Sequence, residues 1–166
     1  DALITAFKSL PIEEGEKIGV PSLTWVATAS AIIHAGGVPV FLDVDPGCFT
    51  LGTKAIEQIE KYKLKTVALV QLFGEMVDPK FINYCRLNAI KIVEDATHVL
   101  GGASSLMDEY VGGKVGDVSC FSFQSTKTVS AGQGGALVTD DEEIYSRASV
   151  FSRHGIDKAS TGKYYW

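Results

Sequence analysis

The sequence predicts a three-layer α/β/α domain, with a mostly parallel β-sheet covered by helices on both faces. Three observations predict it. Short apolar runs alternate with longer amphipathic stretches along the whole chain. The apolar runs lack polar alternation, as expected of strands buried on both faces. Gly, Pro, Asp and Thr mark the junctions between them.

Taken in order, the first eleven residues read as a helix stopped by Pro11. Residues 17–20 form a short strand, and 25–35 an Ala-rich helix ended by Gly36 and Gly37. Residues 38–44 are the next strand. The stretch 53–62 is an amphipathic helix capped by Thr53, and 66–72 is a buried strand. A helix over 78–88 carries Pro79 in its first turn, where the missing N–H costs nothing. Strands at 90–93, 118–123 and 136–139 bring the number to six, and Asp140 caps a last helix reaching about Ser149. The polar tail over 157–163 is expected to be mobile.

Composition narrows the partners. With 166 residues and 46% apolar content, the chain can bury a core as a single domain. The net charge of −5, without a basic cluster, argues against nucleic acid or an anionic membrane as partner. No apolar run approaches the roughly 18 residues of a membrane span, and no signal peptide is visible. Cys48, Cys85 and Cys120 are scattered and odd in number. They read as reduced thiols of a cytoplasmic protein, not as a disulfide frame or a metal site.

Chemistry concentrates in three stretches. Ser119-Cys-Phe-Ser-Phe-Gln-Ser-Thr-Lys127 places one lysine just past a buried strand, ahead of the glycine-rich turn Gly132-Gln-Gly-Gly135. A partly desolvated lysine there can act as a nucleophile and form a Schiff base with a carbonyl, pyridoxal 5'-phosphate (PLP) being a common partner. A solvated surface charge is the other reading of Lys127. Upstream, Ile90-Lys-Ile-Val-Glu-Asp-Ala-Thr-His98 reads as a strand ending in Asp95, where open α/β sheets bind ligands. A carboxylate there could hold the proton on a pyridine nitrogen, or simply cap the next segment. Glu94 is its neighbour, but adjacent strand residues face opposite ways, so one site does not use both. In Pro21-Ser-Leu-Thr-Trp-Val-Ala-Thr-Ala29, Trp25 stands at a strand-to-helix junction, fit either to stack on a flat ring or to pack in the core.

Rival motifs fail. Leu137 occupies the third glycine position of a G-x-G-x-x-G started at Gly132, and Asp108 stands where a P-loop at Gly113-Lys114 needs its leading glycine. H-E-x-x-H, C-x-x-C and G-x-S-x-G are absent. His34 reads as a packing or surface residue of its helix. His154 fits either a structural place or one near the site.

Read together and in order, these motifs resemble the DegT/StrS sugar aminotransferases, PLP enzymes of the aspartate-aminotransferase fold (fold type I). Gly37-Val-Pro-Val-Phe-Leu-Asp-Val-Asp45, Val70-Gln-Leu-Phe-Gly74, Val138-Thr-Asp-Asp141 and Arg153-His-Gly155 extend the likeness over essentially the whole chain. The resemblance implies the large, cofactor-binding domain of such an enzyme. It implies that Lys127 holds PLP covalently, that Asp95 pairs with the pyridine nitrogen, and that Trp25 stacks on the ring. His98 then lies beside the phenolic oxygen and Ser122 helps hold the phosphate. The implied reaction moves an amino group, usually from glutamate, to a nucleotide-linked 3- or 4-keto sugar, in a homodimer.

Departures are few. Gln133 replaces a commoner glutamate, and the stretch 103–110 is a few residues longer than usual, which reads as a surface loop. The family's upstream phosphate loop and C-terminal small domain are not in the sequence, which begins with Asp and reads as the middle of a longer protein. Taken alone it is expected to hold PLP weakly, since helix-N-terminal donors do much of the phosphate binding. Two other readings stand beside the main one. Sugar dehydratases of the same family carry histidine in place of Lys127. A folded piece without catalysis is the reading from another class.

Overall fold

The computed structural model describes residues 1–103 and 111–155. The longer loop expected up to Tyr110, beyond Ala103, and the polar tail at 157–163 lie outside the described residues. Among the described residues six strands form one sheet. They are β1 (Lys17–Pro21), β2 (Val38–Leu42), β3 (Thr66–Val70), β4 (Lys91–Asp95), β5 (Val118–Ser122) and β6 (Gly135–Val138). Their order across the sheet is β2-β1-β3-β4-β5-β6. Neighbours are parallel throughout except β5 and β6, which form an antiparallel pair with Ser122 opposite Gly135. Strand β1 pairs with β2 on one side and β3 on the other, so the winding direction reverses there, as at the ligand-binding crevice of open α/β sheets.

Five helices accompany the sheet among the described residues: α1 (Ala2–Ser9), α2 (Val26–His34), α3 (Thr53–Tyr62), α4 (Pro79–Leu87) and α5 (Glu142–Ser152). They make two separate cores. Phe7 of α1, Ile32 of α2 and Ile144 of α5 pack with Ile18, Val20, Ala68, Val93 and Cys120 on one face. Ile59 of α3, with Phe81 and Cys85 of α4, packs with Val67, Leu69 and Ile92 on the other. Alternate residues of β3 and β4 thus serve opposite cores, which is why neither strand shows polar alternation. Fully burying each such Phe, Ile or Leu contributes about 1.5–3 kcal/mol.

Caps depart from the sequence reading in two places. Thr53 is the first residue of α3, not its cap. Asp45, across a turn, accepts from the N–H groups of Thr53 (2.9 Å) and Lys54 (3.0 Å). Its carboxylate approaches Gly52 so closely that a Cβ there would overlap it. The last helix is capped by Asp141, whose Oδ1 accepts from Glu143 (2.8 Å) and Ile144 (3.1 Å), so Asp140 does not cap it. Helix α4 follows expectation: Asp78 accepts from the Lys80 N–H at 2.8 Å and Pro79 occupies the first turn. Strand β3 ends at Val70, earlier than expected, because Leu72–Gly74 turn in a 3-10 conformation. Cys48, Cys85 and Cys120 are free thiols. Burial, with Asp117 nearby, pushes Cys85 up to about 12, so it behaves as an inert apolar group.

Candidate functional site

A cavity of about 840 Å³ opens at the carboxyl ends of β1, β3, β4 and β5, within the range of small-molecule sites. Trp25, Asp95, Ser122 and Lys127 all line it. Strand parity explains part of this convergence. Asp95 follows Val93 by two, and Ser122 follows Cys120 by two, so both project to the face packed by α1, α2 and α5.

Each side chain is placed by local structure. Trp25 is the residue preceding α2, in extended conformation, and is 75% exposed. That exposure rules out the core-packing reading. Asp95 ends β4, and its Oδ1 accepts from the Thr97 N–H at 3.1 Å, which orients the carboxylate without capping a helix. Lys127 lies in the loop joining β5 to β6. That loop is closed by Phe123 N–H to Gly134 O and by Ala131 N–H to Phe123 O, both 2.9 Å. Within it the Gln124 carbonyl oxygens do two jobs. The side-chain oxygen accepts from Thr126 N–H (2.9 Å) and Oγ1 (2.6 Å), while the main-chain oxygen accepts from Lys127 N–H (2.9 Å). The glycine-rich sequence was a guide to this turn, because Gly132 and Gly134 both adopt positive φ.

His98 meets Lys127 directly, with Nε2 3.0 Å from Nζ. Its other nitrogen, Nδ1, accepts from the Phe73 N–H at 3.1 Å. Partial burial, then the neighbouring Lys127, lower the His98 pKa below the ordinary imidazole value, with Asp95 opposing them. Ser122 Oγ accepts from Gln124 N–H at 3.3 Å, leaving its own proton free to donate.

Glu94 is absent from the cavity. It is fully buried on the other face, where Oε1 accepts from Gln71 Nε2 (3.1 Å) and Gly113 N–H (3.0 Å). Its Oε2 accepts from Val115 (3.1 Å), Gly116 (3.3 Å) and Ser119 Oγ (2.6 Å). His34 is exposed at the cavity rim, whereas His154 is exposed beyond α5 and does not line it. Sequence reasoning missed Thr97 and the Phe73 turn. The turn had a signal, since Gly74 follows directly and also adopts positive φ. Gln133, noted only as a departure, lines the cavity.

The donor set suits PLP. A primary amine, a held carboxylate and a free hydroxyl line a space large enough for a phosphorylated pyridine, with an exposed indole at its edge and the His98 imidazole against the amine.

Fold and site together define an α/β domain with a lysine amine lining a cavity at the carboxyl ends of its parallel strands. The chain belongs to the DegT/DnrJ/EryC1/StrS aminotransferase family, whose model matches residues 1–166. It is 33% identical to a GDP-perosamine synthase of Escherichia coli O157:H7 over 99% of this chain and 44% of that one. It is 32% identical to a UDP-N-acetyl-3-dehydro-alpha-D-glucosamine 3-aminotransferase of Acidithiobacillus ferrooxidans, covering 93% of this chain and 42% of the other. Among solved structures it resembles NtdA of Bacillus subtilis with bound cofactor PMP, with a TM-score of 0.81, 26% identity, and coverage of 99% and 37%. The chain therefore spans less than half the length of the curated relatives it matches.

Proposed function

We propose that this chain is the cofactor-binding core of a PLP-dependent aminotransferase that acts on a nucleotide-linked 3- or 4-keto sugar. One observation carries the reading: Trp25, Asp95, Ser122 and Lys127, far apart in sequence, line a single cavity, and His98 touches Lys127. The names of the relatives, a GDP-sugar synthase and a UDP-sugar aminotransferase, support the substrate class. When bound, PLP supplies an aldehyde that takes up an amino group and a ring that spreads the charge left on carbon.

The chain's own residues divide the remaining work. Lys127 Nζ would hold the cofactor and, when free of it, would take and return a proton as general base and acid. Asp95 would accept the N–H of the pyridine ring and keep that proton in place. Trp25 would stack on the ring, and Ser122 Oγ would donate to the phosphate. His98 would support the phenolic oxygen. Glutamate is the proposed donor, and a second copy of the chain completes the site in a cytoplasmic homodimer. A lysine at position 127 favours amino transfer over the dehydratase reading.

The test is amino transfer by the protein that carries this chain. Labelled glutamate is supplied with GDP- or UDP-linked 3- and 4-keto sugars, and the products are weighed. Label in a sugar amine, lost in Lys127→Ala, is the expected result. Conversion of the keto sugar by dehydration without label uptake would overturn the reading.

A further inference from the structure

Phe73 combines three features that its burial does not explain. It sits in the middle of the 3-10 turn Leu72–Gly74 with φ 57° and ψ 20°, a left-handed conformation uncommon for a bulky residue. Its side chain is 70% exposed. And its neighbours hold it: its ring lies parallel to that of His98 within 8°, at 6.2 Å between centroids, and Phe49 meets it edge-on at 5.3 Å. Phe49 is held in turn by its own N–H, which donates to Glu75 Oε2 at 3.0 Å. Strained residues of this kind persist only where surrounding contacts fix them, and they gather at functional sites.

What this turn delivers is one main-chain N–H, aimed at His98 Nδ1 from 3.1 Å. A main-chain N–H can only donate, so Nδ1 must present its lone pair, and the single proton of the neutral ring must be on Nε2. We infer that Phe73 is a positioning residue, which fixes His98 in the Nε2–H tautomer and so presents an N–H donor at the place where Lys127 meets its ligand. Toward Lys127, 3.0 Å away, this Nε2–H can be accepted only by an uncharged Nζ, since an ammonium has no lone pair to offer it. His98 is therefore a fixed donor and not a proton acceptor toward Lys127. Charging the ring requires protonating Nδ1, which breaks the Phe73 bond and sets an imidazolium against Lys127. Asp95 is the opposing charge near the ring, and Glu75 is engaged by Phe49.

The tautomer rests on this geometry alone; only the use of Nε2–H toward a cofactor oxygen rests on the function proposed above. Nitrogen NMR of the histidine-labelled protein, with and without PLP, tests it. Above the imidazole titration range, Nδ1 is expected to resonate as an unprotonated nitrogen and Nε2 as a protonated one. A scalar coupling is expected between Nδ1 and the Phe73 amide nitrogen across the bond. Phe73→Gly keeps both the N–H and the left-handed φ, so it is expected to keep the tautomer. Phe73→Val disfavours that φ and is expected to lose the coupling and let both tautomers appear. A proton on Nδ1 in the wild-type protein would overturn the proposal, as would a folded Phe73→Val that keeps Nε2–H alone. If Phe73→Val does not fold, the wild-type coupling decides by itself. Because the measurement without PLP needs no cofactor, failure of the tautomer and failure of the proposed reaction are read separately.

Discussion

Asp95 and Glu94 are adjacent on β4 and serve opposite sides of the sheet. Asp95 lines the cavity, while Glu94 is sealed on the far face with donors from Gln71, Gly113, Val115, Gly116 and Ser119. One strand thus carries both a candidate cofactor contact and the anchor of the segment that leads into β5. The two carboxylates should respond to substitution in opposite ways.

Glu94→Gln is expected to destabilise the fold. Its amide nitrogen cannot accept from main-chain N–H groups, so at least one buried donor is left unpaired, at a cost of about 1–3 kcal/mol. The fall appears as a lower urea midpoint with unchanged slope. An unshifted midpoint would show that the Gly113–Gly116 segment is held by other means.

Asp95→Asn is expected to leave stability nearly unchanged, because its amide oxygen can still accept from Thr97 N–H. In the loaded protein amino transfer should fall about 100-fold or more, since a neutral amide cannot hold the ring proton and such proton control is worth roughly 10²–10⁴ in rate. Unaltered turnover would reduce Asp95 to a partner of Thr97.

Asp45→Ala is expected to cost about 1 kcal/mol, the ordinary loss for a helix N-cap. Partial burial raises the Asp45 pKa, but the N–H groups of Lys54 and Thr53 outweigh it and leave the carboxyl below its ordinary value of 3.8. A depressed carboxyl pKa contributes stability above its unfolded value and loses it as pH falls through the folded one. The difference between wild type and Asp45→Ala should therefore be full at neutral pH and shrink below about pH 3.8. A difference that stays constant to low pH would contradict the capping role.

His98 carries the corresponding dependence near neutrality. Its folded pKa lies below the ordinary imidazole value of 6.5, so the folded state disfavours the charged ring. The stability this group contributes is present above about pH 6.5 and is lost as pH falls through the folded pKa. Replacing His98 by Gln should flatten stability against pH just below that value. An unchanged slope would mean that another group titrates there.

Much of this molecule was legible in its letters, and the reasons differ by element. The strands were readable because a doubly covered sheet demands uninterrupted apolar runs, so 66–72 and 90–93 announced β3 and β4. The place of Lys127 followed from a buried strand running into a glycine-rich turn. Caps were less readable. Sequence proximity favoured Thr53 and Asp140, whereas Asp45 reaches α3 from across a turn and Asp141 is one residue nearer to α5. The Phe73–His98 bond was invisible because a main-chain N–H carries no sequence signature, and only the three-dimensional path of the turn aims it. Glu94 was placed on the right face by parity alone, but its donors come from a loop whose partners parity cannot name.

The most direct test of the central claim is chemical. The protein carrying this chain is mixed with PLP, reduced with borohydride, digested, and mapped by mass. The expected result is a visible absorption band before reduction and a single reduced pyridoxyl-phosphate adduct on Lys127, absent in Lys127→Ala. An adduct spread over surface lysines such as Lys61, Lys80 and Lys114, with Lys127 unmodified, would contradict the account.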